Sequence, residues 1–96
     1  MRLELHRRLR KRVARLTGAE REQIAAALGA LTQGFGNPHH HSGHHHSGLG
    51  IRLLRKDLFE CRAGLQWRIV FFAEQGLLTA YDVMTHDEIQ AWLRGF

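Results

Sequence analysis

L-F-E-C-R-A-G-L-Q-W-R-I-V-F-F, residues 58–72, decides the fold of this chain. Side chains on either side of Ala63-Gly64 follow a period of two, the pattern of extended strands joined by a tight turn. The spacing predicts strands over 58–62 and 65–73. Working outward, 51–54 alternates in the same way ahead of an Arg55-Lys56-Asp57 turn, and 77–84 forms the last strand beyond Glu74-Gln75-Gly76. The central hairpin draws Glu60, Arg62 and Arg68 together. Two arginines and a carboxylate on a small sheet, with His86 opening the next helix, are the parts needed to grip and cut a phosphodiester.

Ahead of the strands the period changes. Leu5, Leu9, Val13 and Leu16 recur at helical spacing among Arg7, Arg8, Arg10, Lys11, Arg12 and Arg15, which predicts a first helix with one apolar stripe and a cationic remainder. Thr17 and Glu20 have capping-box spacing; Ile24, Leu28 and Leu31 form the apolar face of a second helix ended by Gly34 and Gly36. Thr85 and Glu88 repeat the capping box and start a C-terminal helix with Ile89, Trp92 and Leu93 inward. The expected fold is α+β, one domain over residues 1–96. A helical hairpin packs on a small, three- to four-stranded antiparallel sheet followed by a C-terminal helix.

The chain has 96 residues, 14 Lys plus Arg against 9 Asp plus Glu, and a formal charge of +5. Arg far outnumbers Lys, which favours bidentate recognition of phosphate or carboxylate and hence an anionic partner. Cys61 is alone, so no internal disulfide is possible. There is no export signal and no apolar run long enough to span a bilayer, so a cytoplasmic protein with no membrane contact is expected. Residues 37–48 form a polar loop in which H-H-H-S-G occurs twice in succession, either a duplicated loop segment or an inserted affinity tag. Its imidazoles would bind zinc, nickel or copper if offered, but mobile ligands on one loop do not make a structural site, and no metal or other cofactor is expected.

The runs H-S-G-L-G-I-R-L-L-R (46–55), L-F-E-C-R-A-G-L-Q-W-R-I-V-F-F (58–72) and T-H-D-E-I (85–89) resemble the RelE/ParE superfamily of type II toxin-antitoxin toxins. In that family a helical hairpin packs on a small antiparallel sheet whose central strands read E-x-R, turn, aromatic-R-hydrophobic. The resemblance leaves the family's first strand shortened to residues 1–5 or absent. It implies a toxin that cuts messenger RNA on the ribosome without a metal, inhibiting translation and restrained by a cognate acidic antitoxin. The alternative within the family is a ParE-like toxin that inhibits DNA gyrase by binding alone.

Carried over by position, the resemblance makes Arg62 the residue facing the scissile phosphate. His86 stands where ribonucleases of this group keep a His or Arg, and His46 near a histidine of the YafQ type. Arg68 completes the catalytic set, and Arg52, Arg55 and Lys56 are assigned to RNA binding. Trp92 falls near a functional tyrosine of some members, and Gln66 where the YafQ type has an aspartate. The chemistry is attack by the RNA's own 2′-hydroxyl, which needs a base, a cation on the crowded phosphate and an acid for the leaving 5′-oxygen. Histidine serves either proton role near neutral pH. Arg68 has a competing assignment as the cross-hairpin partner of Glu60.

Overall fold

The computed structural model describes residues 2–35 and 49–96. The elements run β1 (Arg2–Leu5), α1 (Arg7–Val13), α2 (Gly18–Gly34), β2 (Arg52–Arg55), β3 (Leu58–Ala63), β4 (Trp67–Glu74), β5 (Leu77–Met84) and α3 (His86–Arg94). The strands form one sheet in the order β1-β5-β4-β3-β2. The histidine-rich loop at 37–48 lies outside the described residues.

The α+β class and the helical hairpin agree with expectation, but the sheet does not. It has five strands and is mixed, because β1 is present and pairs in parallel with β5, Arg2 opposite Leu77 through Leu5 opposite Ala80. The other three pairings are antiparallel. Four residues of R-L-E-L carry too little pattern to separate a strand from the start of a helix. Leu5 therefore belongs to β1 and not to the helix. The helix begins only after His6, whose imidazole Nδ1 accepts the Arg8 N–H at 3.1 Å as an N-cap. β4 also starts at Trp67 and not at Leu65, which stands fully exposed in the β3–β4 turn.

Alternation along β4 divides the interior in two. Ile69 and Phe71 point into the larger core with Leu9, Ile24, Ala27, Leu31 and Leu78, against the helical hairpin. Val70 points the other way and packs with Met84 and with Ile89 of α3. The hairpin and α3 thus cover opposite faces. Phe71 is fully buried and meets Phe35 edge-on at 5.3 Å and Phe59 stacked at 5.5 Å. On the second face Trp92 stacks on Tyr81 at 5.5 Å and fixes α3 to β5.

Both predicted capping boxes form, and each carboxylate has a further partner. Glu20 accepts from the Thr17 backbone N–H at 3.0 Å and from the Trp67 indole at 2.7 Å. Glu88 accepts from the Thr85 backbone at 2.8 Å and from the Arg12 guanidinium at 2.6 Å. Arg12 also lies over the Trp67 ring at 5.1 Å. Arg12 is therefore fold-bound, and so is Arg8, 3.5 Å from the buried Asp82 carboxylate. Both belong to the cationic remainder of the first helix, and the apposition of α1 to β5 and α3 engages them.

The Trp67 indole bond, with the Thr17 backbone bond, holds Glu20 below its ordinary carboxylate value, and the Arg12 hydrogen bond does the same for Glu88. A carboxylate depressed in the folded state contributes stability above its unfolded pKa, and that contribution is lost as pH falls through the folded value. Thermal unfolding between pH 7 and pH 2 should therefore show a loss that begins below about pH 4.5. The Glu20→Gln, Glu88→Gln double variant should start less stable at pH 7 and lose less on acidification. Parallel curves for variant and parent would remove the two carboxylates from the account of acid stability.

Candidate phosphodiester site

The second face of the sheet carries polar residues where α3 does not cover it. Strand register sets Arg52 of β2 opposite Glu60 of β3, and Arg62 of β3 opposite Arg68 of β4. Arg68 in turn lies opposite Met84 of β5, two residues before His86, the first residue of α3. Since Glu60 and Arg62 are two apart on one strand, the period of two keeps all of these on one face. They line an open groove of about 450 Å³ with Gly50, Ile51, Arg52, Glu60, Arg62, Arg68 and His86 on its walls.

The groove has a definite electrostatic pattern. Glu60 is only 2 % exposed, and its Oε2 accepts Arg52 Nη2 at 2.9 Å. Arg68 Nε stands 4.0 Å from Oε1, at the outer limit of an ion pair. Arg62 is exposed and makes no ion pair among the described residues. Its backbone N–H donates to the Leu49 carbonyl, which draws the chain ahead of β2 against β3. Three guanidinium groups against one carboxylate leave this face strongly positive, and Arg62 directly opposite Arg68 is a like-charge pair that an anion between them would relieve.

Of the residues assigned from sequence, Arg62, Arg68, His86 and Arg52 meet here. Arg55 and Lys56 do not. Arg55 pairs opposite Leu58 beside the β2–β3 turn, at the other end of the strands, and its Nη1 donates to the adjacent Leu54 carbonyl at 3.1 Å. Lys56 lies in that turn. Arg52 and Arg55 are three residues apart, an odd separation that regular alternation does not place on one face. His46 lies outside the described residues. Trp92 packs on Tyr81, and Gln66 donates weakly to Glu20 at 3.4 Å; neither lines the groove.

Sequence reading placed Glu60 in the cluster with Arg62 and Arg68 and as the competing partner of Arg68 but assigned it no catalytic role, and it missed Gly50 and Ile51. The burial of Glu60 and its pairing with Arg52 are revealed only by the β2–β3 register. Arg52, assigned to RNA binding, also pairs with Glu60 while its side chain stays 59 % exposed. Cys61, the neighbour of both Glu60 and Arg62, points to the opposite core; burial pushes its thiol up to about 12, which rules it out as a nucleophile at neutral pH. Among the described residues no cluster of His, Cys, Asp and Glu could hold a metal ion, and no helix is long and apolar enough to cross a membrane.

A second concavity lies on the helical hairpin. Leu5, Leu9, Val13, Ile24 and Leu28 line an apolar groove of about 240 Å³ rimmed by Arg10 and Arg21.

Gly50 places Arg62. Its φ of +59° is in the left-handed region, and a Cβ there would lie 3.3 Å from Cγ, Cδ and Nε of Arg62. Gly50→Ala should cost about 1 kcal/mol in backbone strain and push the Arg62 side chain out of line. The fold should survive, with anion affinity reduced severalfold when titrated with a 2′-deoxy oligonucleotide. Unchanged affinity would mean that the Gly50 contact does not orient Arg62. Comparison of the chain with family models, with curated proteins and with solved structures finds no match, so the functional reading rests on the chemistry of this groove.

Proposed function

We propose that this chain is the toxin of a type II toxin-antitoxin pair and acts as an endoribonuclease on messenger RNA at the ribosome. The observation that carries the reading is the groove in which Arg62 faces Arg68 across one strand pair with His86 at its rim. A phosphodiester seated between the two guanidinium groups would be held by charge that does not titrate, and both groups can bond a non-bridging oxygen. The 2′-oxygen attacks phosphorus, its proton passing to a base. The bond to the 5′-oxygen breaks and that oxygen takes a proton, leaving a 2′,3′-cyclic phosphate and a 5′-hydroxyl. His86 is exposed at the groove wall and is the imidazole assigned to proton transfer. Arg62 and Arg68 carry the charge that builds on phosphorus in the transition state.

The apolar groove on the hairpin supports the partner half of the proposal. An acidic amphipathic segment of an antitoxin would place apolar side chains against Leu9, Val13 and Ile24 and carboxylates against Arg10 and Arg21. Arg10 and Arg21 have no ion pair among the described residues, in contrast to Arg8 and Arg12.

Induced expression should arrest growth and cut translated messages, read by primer extension. Arg62→Ala should relieve both, with cleavage lower by about a hundredfold or more. Intact messages together with failing gyrase-dependent supercoiling would replace this reading with the gyrase-inhibitor one. For the partner, Arg10→Glu with Arg21→Glu should slow association with the protein of the adjacent small acidic reading frame and flatten its salt dependence, while thermal stability holds. Association unaffected by these two charges would move the antitoxin to another surface.

A further inference from the structure

Glu60 is the one carboxylate on the walls of the groove. A carboxylate 2 % exposed is costly to keep ionised, and replacing such a group with an uncharged one of equal volume often leaves stability unchanged or improves it. Its presence is therefore not explained by stability. Its two oxygens face two different arginines through different nitrogens: Oε2 accepts Arg52 Nη2 at 2.9 Å, and Arg68 Nε lies 4.0 Å from Oε1. Oε1 is buried and has no hydrogen bond among the described residues. Beyond Glu60 on the same face lies Val70, directly opposite it on β4 and fully buried against Met84 and Ile89. That side offers no polar partner. Arg68 Nε, 4.0 Å away in the groove, is the charged donor that stands by this oxygen.

A guanidinium held by Nε–H has a particular consequence. Its two Nη groups form the opposite edge of a rigid plane, and that edge then presents two parallel N–H donors in one fixed direction. We propose that Glu60 is a positioning residue that closes onto Arg68 Nε when a phosphate enters, turning the Nη edge of Arg68 toward the phosphate oxygens. This rests on the reading of the groove as a phosphodiester site. Arg52, held through Nη2 by the other oxygen, braces the carboxylate from the opposite strand. The negative charge between the strands also offsets the repulsion between Arg62 and Arg68, so both stay in the groove when it is empty. Lysine at 68 could not act this way, since its ammonium is a point charge that cannot be held at one atom and present an edge at others.

The test uses the full chain, the variants Glu60→Gln and Arg68→Lys, and their combination. Two measurements are made on each: the Arg68 Nε–H proton resonance during titration with inorganic phosphate, and single-turnover cleavage of a ribosome-bound message. In the parent, phosphate should move the Nε–H signal downfield and slow its exchange with water. In Glu60→Gln the response should be lost, because the amide is neutral and a weaker acceptor. Cleavage should fall about a hundredfold in either single variant and no further in the double, as for two residues acting through one contact. Phosphate affinity should be kept or raised in Glu60→Gln, since a negative charge has been removed. An Nε–H that exchanges like that of a free arginine in phosphate-saturated parent protein overturns the proposal, as does additive loss in the double variant. Should Glu60→Gln unfold, Arg68→Lys leaves Glu60 in place, and unchanged cleavage there is equally fatal. A parent that cleaves nothing yet shows the Nε–H response keeps the Glu60 assignment and sinks the ribonuclease reading; a parent that cleaves without the response does the reverse.

Discussion

The guanidinium of Arg12 sits where all three helices meet one end of the sheet, and the placement of the groove depends on it. It lies over the Trp67 ring and bonds Glu88, while Trp67 bonds Glu20. Glu20 and Glu88 are the carboxylates that cap α2 and α3. A series of contacts therefore runs from the start of α2 through Trp67 and Arg12 to the start of α3. Each step is modest, since exposed ion pairs and caps are screened by water and contribute little singly. Their joint effect is geometric: the first turn of α3 cannot shift without disturbing the start of α2, and His86 is the first residue of that turn.

The groove exists because the sheet is unevenly covered. The hairpin closes one face over a continuous apolar core, whereas α3 covers only part of the other, around Val70 and Met84. The rest of that face takes charged residues at the positions where alternation would otherwise put core. The edge strand β2 contributes too. It is short, has an irregular register and carries arginine at both ends, features that discourage pairing with another chain. Arg52 protects that edge and also faces Glu60.

What the sequence disclosed followed the range over which its signals act. Capping boxes depend on residues three apart, and both Thr17-Glu20 and Thr85-Glu88 form as written. The Arg62–Arg68 juxtaposition follows from one tight turn, so period-two reading reached it. Features set by distant partners were not legible. β1 is a strand because Leu77–Met84 offers it hydrogen bonds, a fact with no trace in R-L-E-L itself. The Arg52–Glu60 pair depends on a register shift that alternation does not foretell, and Arg55 lies at the turn end of the same strand, away from the groove. Arg8 and Arg12 showed their cationic character in sequence but not their partners, Asp82 and Glu88, which lie some seventy residues away.

The parallel union of β1 with β5 also orders events in time. Arg2 meets Leu77 and Leu5 meets Ala80, so the first strand made has no partner until nearly the whole described chain exists. Contacts of such long sequence separation close late, since the entropy of the intervening loop must be overcome first. During synthesis α1 and α2 can form locally, but their apolar face has no sheet to cover until β3 to β5 leave the ribosomal tunnel. The groove is completed in the same final step, because His86 on its wall follows β5 closely.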